Sequence, residues 1–86
     1  MDELFITNAY RVLRVMYNNS RQVGKETYCP IGQREVAEDL GLSRAIVNKI
    51  FNELKTTGYI IMLSRGNWQL TERANYVVRT VESIKE

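Results

Sequence analysis

Arg44, Asn48, Lys49 and Asn52 share a stretch with four apolar residues, Val47, Ile50, Phe51 and Leu54, spaced at offsets 0, 3, 4 and 7. That spacing is the buried face of a helix at 3.6 residues per turn. The opposite face then carries Ala45, Lys49, Asn52 and Thr56, with Arg44 and Asn48 flanking it toward the N-terminal half. Cations donate hydrogen bonds, and carboxamides both donate and accept them. The chemistry open to such a row is recognition, by holding anions and by matching donor–acceptor edges.

Bond-making chemistry lacks its usual groups. The chain has no histidine and a single cysteine, Cys29. Ser-His and Cys-His nucleophiles, zinc-histidine sites, multi-cysteine metal sites and internal disulfides are therefore excluded. The carboxylates Glu35, Glu38, Asp39, Glu53 and Glu72 fall on predicted exposed helix faces, and no glycine-rich loop is placed to cradle a phosphate. The reading is of a protein that is not an enzyme and uses no cofactor and no metal. No neighbouring cation or helix start argues for a lowered Cys29 pKa, so it is read as an inert, partly buried thiol.

The elements that position the row follow from composition and periodicity. At 86 residues, 44% hydrophobic and 26% charged, the chain is the size and balance of one globular domain. Its net charge of +2 is too mild to announce a partner by itself. No apolar run approaches the roughly 18 residues of a membrane helix. The start, Met1-Asp2-Glu3-Leu4, lacks a signal-peptide pattern, so a reduced, cytoplasmic location and no membrane partner are expected.

Leu4 to about Tyr17 reads as a helix, with Phe5, Ala9, Val12, Leu13 and Met16 on one stripe. Arg21 to Tyr28 is polar and aperiodic and reads as a loop. Tyr28 to Ile31 reads as a short edge strand, because Pro30 is tolerated at edges or ends. Gln33 to Leu40 is a short helix with Gly41 as its C-cap. Ser43 caps the next helix, which runs to about Thr57 and ends at Gly58. Tyr59 to Ser64 and Asn67 to Leu70 are strands joined by a tight turn at Arg65-Gly66. Thr71 caps a last helix with Ala74, Val77, Val78 and Val81 inward. The order predicts an α+β, mostly α, winged helix-turn-helix. It comprises one domain over 1–86: N-terminal helix 1–20, helix-turn-helix 33–57, wing 59–70 and C-terminal helix 71–86.

The segment from Gln33 to Ile50 resembles a helix-turn-helix throughout. Two short helices cross steeply through a tight turn. Ala37 is small where the second helix packs close, Gly41 takes the turn conformation, and Val36, Leu40, Leu42, Val47 and Ile50 fill the space between helices. Leu54 to Ile60 looks like the end of a recognition helix running into a wing. Leu70-Thr71-Glu72-Arg73 looks like the return from the wing in small bacterial regulators of the multiple-antibiotic-resistance (MarR) type. The likeness covers roughly residues 31 to 75, and the chain is shorter than typical MarR-type members.

The resemblance implies sequence-specific binding of double-stranded DNA in transcription regulation, with helix 43–57 in the major groove. Arg44 and Lys49 can donate to guanine or hold phosphates, Asn48 or Asn52 suits adenine, and Ala45 and Ile46 can pack on a thymine methyl. Ser43 joins them at the helix start, while Gln33 and Arg34 hold a phosphate at the start of the preceding helix. Arg65 at the wing tip reaches the minor groove or flanking phosphates. Between residues 43 and 69, Arg44, Lys49, Lys55 and Arg65 face one acid, Glu53, a net +3. Residues 32 to 42 set Arg34 against Glu35, Glu38 and Asp39, a net −2. Positive charge thus gathers where phosphates would lie. Trp68 is read as core, not as a stacking platform, and Tyr59 carries the same two readings.

A palindromic operator calls for two copies. Phe5, Tyr10, Leu13 and Tyr17 on the first helix, with Val77, Val78 and Val81 on the last, are the expected homodimer surface. Repression by occluding a promoter is the simplest mechanism. Two alternatives stay open: a winged-helix protein-interaction module in a larger complex, and a DNA binder controlling plasmid or phage replication. No set of residues marks a small-molecule effector site.

Overall fold

The computed structural model describes residues 8–24 and 26–85. Helix α1 spans Tyr10–Asn18, and strands β1 (Arg21–Val23) and β2 (Glu26–Cys29) follow it. Helices α2 (Gln33–Leu40) and α3 (Arg44–Thr56) lead to strands β3 (Ile60–Ser64) and β4 (Asn67–Leu70), and α4 (Glu72–Lys85) closes the chain. The four strands form one antiparallel sheet in the order β1-β2-β4-β3. This is the mostly helical, winged helix-turn-helix arrangement that the element order predicts.

The local signals in the motif act as expected. Gly41 has φ 68°, in the left-handed region that an L side chain rarely adopts, and its N–H and that of Leu42 both donate to the Ala37 carbonyl. The Ser43 hydroxyl accepts from the Ile46 N–H at 3.1 Å, satisfying a donor that the first turn of α3 leaves open. Thr71 does the same for Ala74 at the start of α4.

One continuous core unites the elements. Phe51, Leu13, Met16, Ile60, Val12, Val36, Val47, Val78 and Cys29 are fully buried. Trp68 meets Phe51 edge to face with ring centroids 4.9 Å apart, so the wing's return strand is fastened to the back of α3. Across the far side, the Tyr10 hydroxyl donates to Glu82 Oε2 at 2.7 Å and Arg14 lies 3.7 Å from the same carboxylate, tying α1 to α4.

Two expectations are corrected. The stretch expected as a loop holds two strands: β1 (Arg21–Val23) and β2 (Glu26–Cys29) pair as a hairpin next to Gly24, which has φ 64°. Nor is the strand at Tyr28-Cys29 an edge. It lies inside the sheet, Cys29 opposite Trp68 and Tyr28 opposite Gln69, and Pro30 sits just past its end. Strands of three and four residues carry too little alternation to be read locally, and pairing with β4 defines them. The helix predicted from Leu4 is seen as α1 from Tyr10, with Asn8 and Ala9 in a helical turn just before it; its residues 4–7, Phe5 included, lie outside the described residues.

Candidate nucleic-acid interface

Helix α3 is anchored by one face and offers the other. Val47, Ile50, Phe51 and Leu54 are buried, whereas Arg44, Ala45, Asn48, Lys49, Asn52 and Thr56 are exposed. An open groove of about 440 Å³ runs along the offered face, lined by Asn48, Lys49, Asn52, Glu53, Thr56 and Thr57. The predicted trio Asn48, Lys49 and Asn52 is thus brought together. Ser43 and Arg44 stand exposed at the same helix's start. The Ser43 oxygen is engaged as the cap acceptor, and a hydroxyl that accepts keeps its own O–H as a donor.

Glu53 and Thr57 share the groove although neither belongs to the contact row read from the sequence. Their signal was present, because Lys49, Glu53 and Thr57 are four residues apart and so follow one line along a helix. A carboxylate in that line limits how much phosphate the C-terminal half of α3 can accept and leaves the N-terminal half the more cationic.

The start of α2 is less suited to a phosphate than its sequence suggested. The Gly32 N–H donates to Glu35 Oε1 at 3.1 Å, so an acid already stands at that helix end. Arg34 is exposed and lies 3.5 Å from Glu38, one turn further on. Gln33 is half-buried.

At its far end α3 is tied to α4. The Thr57 hydroxyl donates to the Glu53 carbonyl at 2.8 Å, Gly58 turns the chain with φ 87°, and the Thr71 hydroxyl donates to the Gly58 carbonyl at 2.8 Å. Arg73 lies over the Tyr59 ring. Beyond this junction the wing turns at Arg65-Gly66, with Arg65 exposed. Asn67 Nδ2 donates to the Ser64 hydroxyl across the turn at 3.1 Å. On β3, an edge strand, Ile61, Met62 and Leu63 are each about half exposed, at 46%, 50% and 53%.

The residues expected at a dimer surface divide. Tyr10, Leu13 and Val78 are buried within the chain's own core, which is what their helical stripes cover, so those three offer no surface to a second copy. Tyr17, Val77 and Val81 are half-buried, with Tyr17 and Val81 packed on the same core. Phe5 lies outside the described residues.

Trp68 is buried, as core packing requires. Cys29 is fully buried, more than the partial burial expected, and burial pushes its thiol pKa up. Among the described residues no cluster of histidine, cysteine or acidic side chains is placed to hold a metal ion. No described helix is long and apolar enough to cross a membrane.

The fold and its offered helix define a winged helix-turn-helix domain, and comparisons with known proteins can be set beside it. No family model matches the chain, and no curated protein matches it. Solved structures do. The chain is similar to the reduced, Fe(II) CO-sensing protein from R. rubrum, with TM-score 0.77 and 22% identity over 87% of this chain and 37% of that one. It is similar to a transcriptional regulator of the CRP/FNR family from Thermus thermophilus, with TM-score 0.68 and 20% identity over 90% of this chain and 44% of that one. A third is the CO-dependent transcription factor CooA from Carboxydothermus hydrogenoformans, with TM-score 0.69 and 15% identity over 88% and 38%. The chain thus spans less than half the length of each. At these identities the likeness shows the fold. None of the three is described as a MarR-type regulator, and the MarR-type resemblance is not confirmed.

Proposed function

We propose that this chain is a sequence-specific binder of double-stranded DNA that acts in transcription regulation, not an enzyme. The observation that carries the reading is the exposed row on α3. Arg44, Asn48, Lys49 and Asn52 project from a helix whose other face is fixed in the core. A helix held this way is a rigid reader, and the major groove admits one helix. Arg44, Lys49, Asn48 and Asn52 are the base and phosphate contacts of this reading, with Ser43 and Ala45 at the helix start. Arg65 contacts the backbone or minor groove beside the site, and Gln33 and Arg34 give at most a weak phosphate contact. Similar folds in proteins described as transcriptional regulators support the class.

The finer parts of the proposal are a single domain over 1–86, a cytoplasmic location, repression by occlusion, and binding as a homodimer. The dimer rests on the short reach of one recognition helix, which covers only a few base pairs. The candidates for its contacts are Phe5, Tyr17, Val77 and Val81. Selection of bound sequences from a random duplex library, followed by salt titration of the selected duplex, tests the sequence-specific binding and the dimer. A palindrome with half-sites about 10 base pairs apart supports a dimeric specific binder. Weak binding that is equal for every sequence and steeply lost with salt overturns it.

A second reading, a protein-interaction module, is favoured by one feature. Ile61, Met62 and Leu63 form an uncharged, half-exposed run on an edge strand, where apolar surface is ordinarily avoided. A chain that fails the duplex selection, yet loses a protein partner on Met62→Lys, would favour this reading.

A further inference from the structure

Helix α3 carries six apolar residues, of which four are buried; the two that are not, Ala45 and Ile46, are neighbours in its first turn. Ile46 is 45% exposed and takes no part in the core. Its backbone is held rigidly, because its N–H donates to the Ser43 hydroxyl at 3.1 Å. A large β-branched side chain there gains nothing from water and lowers helix propensity slightly. A polar residue would serve a solvated turn better.

Resting on the DNA-binding reading above, we infer that Ile46, with Ala45 beside it, is a specificity-determining residue that selects thymine through its 5-methyl group. The major groove presents donors, acceptors and one apolar projection, the thymine methyl. A hydrogen-bonding side chain cannot distinguish thymine from a base with the same O4 acceptor and no methyl, whereas an apolar one can. The first turn is the part of a recognition helix that approaches base edges most closely. Its companions in this turn and the next, Arg44, Asn48 and Lys49, are polar, so the apolar pair adds a kind of selectivity that they lack.

The test removes the methyl and nothing else. In the duplex selected by the full chain, each thymine in turn is replaced by uracil, and each duplex is titrated with the parent and with Ile46→Ala. At one thymine or more, the parent should bind the uracil duplex about fourfold more weakly, the value of one buried methyl-sized group. Ile46→Ala, checked by thermal melting to be folded, should bind the thymine and uracil duplexes alike. A parent indifferent to every replacement overturns the inference while leaving the DNA reading intact. So does an Ile46→Ala variant that keeps the full discrimination. A parent that selects no sequence overturns the DNA reading, and this inference with it.

Discussion

The Arg73 guanidinium lies 4.5 Å from the centre of the Tyr59 ring, and its Nη1 donates to the Thr57 carbonyl at 2.8 Å. One side chain from the first turn of α4 therefore covers the turn that ends α3. The placement suits a cation, because carbonyls at a helix C-terminus lack intrahelical partners and carry partial negative charge. The angle at which α3 leaves the core is set partly from outside its own sequence.

Removing that side chain should loosen the junction. Arg73→Ala loses an exposed cation–π contact and a charge-assisted hydrogen bond, together about 1–2 kcal/mol. For a domain of this size that lowers Tm by roughly 5–15 °C. Arg73→Lys keeps the charge but not the planar stack and should fall between the two. Thermal unfolding by circular dichroism measures both, and a Tm unchanged in Arg73→Ala would show that the junction holds without it.

Lys49 and Arg44 separate the ways in which α3 can contact DNA. Each is exposed and outside the core, so an alanine there should leave the fold intact. A residue that reads a base should cost about 1–3 kcal/mol and relax the sequence preference. A residue that holds phosphate should weaken all duplexes alike and reduce the salt slope by about 1. If both variants bind as the parent does, the docking face is misassigned.

Gly41 tests the turn. Its φ of 68° lies where a Cβ is penalised, yet apart from its chain neighbours no described residue stands within 4 Å of where that Cβ would be. Gly41→Ala should therefore cost about 1–2 kcal/mol, from conformation alone and without a clash. Urea unfolding gives the value. A larger loss would mean that α2 and α3 change their crossing.

Much of the motif was legible because its determinants are local. The Ser43 cap, the Gly41 turn and the spacing of Val47, Ile50, Phe51 and Leu54 each act within one or two helical turns. The β1–β2 hairpin was not, because Tyr28 and Cys29 become strand by pairing with Gln69 and Trp68, far along the chain. The helical stripes through Leu13 and Val78 showed that a face is buried but not by what, and their own core is the answer. The same limit applies at α2: sequence placed Arg34 and Gln33 at a helix start, but the Glu35 carboxylate on the Gly32 N–H appears only in three dimensions. For the site residues, sequence supplied a face; which of them share a groove, Glu53 and Thr57 included, required the fold.

Val78 follows from that correction. It is fully buried against the core, so Val78→Glu should unfold the chain instead of separating two folded copies. An uncompensated carboxylate there costs several kcal/mol, a large share of a small domain's stability. Loss of the circular dichroism melt is the expected outcome. A folded monomer in place of a folded dimer would return Val78 to the interface.

Alkaline pH should weaken the fold through two groups shifted in the same direction. Burial, then the hydrogen bond to Glu82, hold the Tyr10 phenol well above its ordinary value near 10. Burial raises the Cys29 thiol above its own. Each neutral form is favoured in the folded state, so at alkaline pH the folded chain retains protons that the unfolded chain has lost. With more protons bound folded than unfolded, stability falls as pH rises. The stabilisation is complete below the unfolded values, starts to decline near pH 8.5 with the thiol, and falls more steeply above about pH 10 with the phenol. Urea unfolding at pH 7, 9 and 11 should show a falling midpoint. Tyr10→Phe, which keeps the ring in the core but has no proton to lose, should flatten the decline between pH 9 and 11. A decline equally steep in that variant would assign it to other groups and leave the Tyr10–Glu82 bond without a role in alkaline stability.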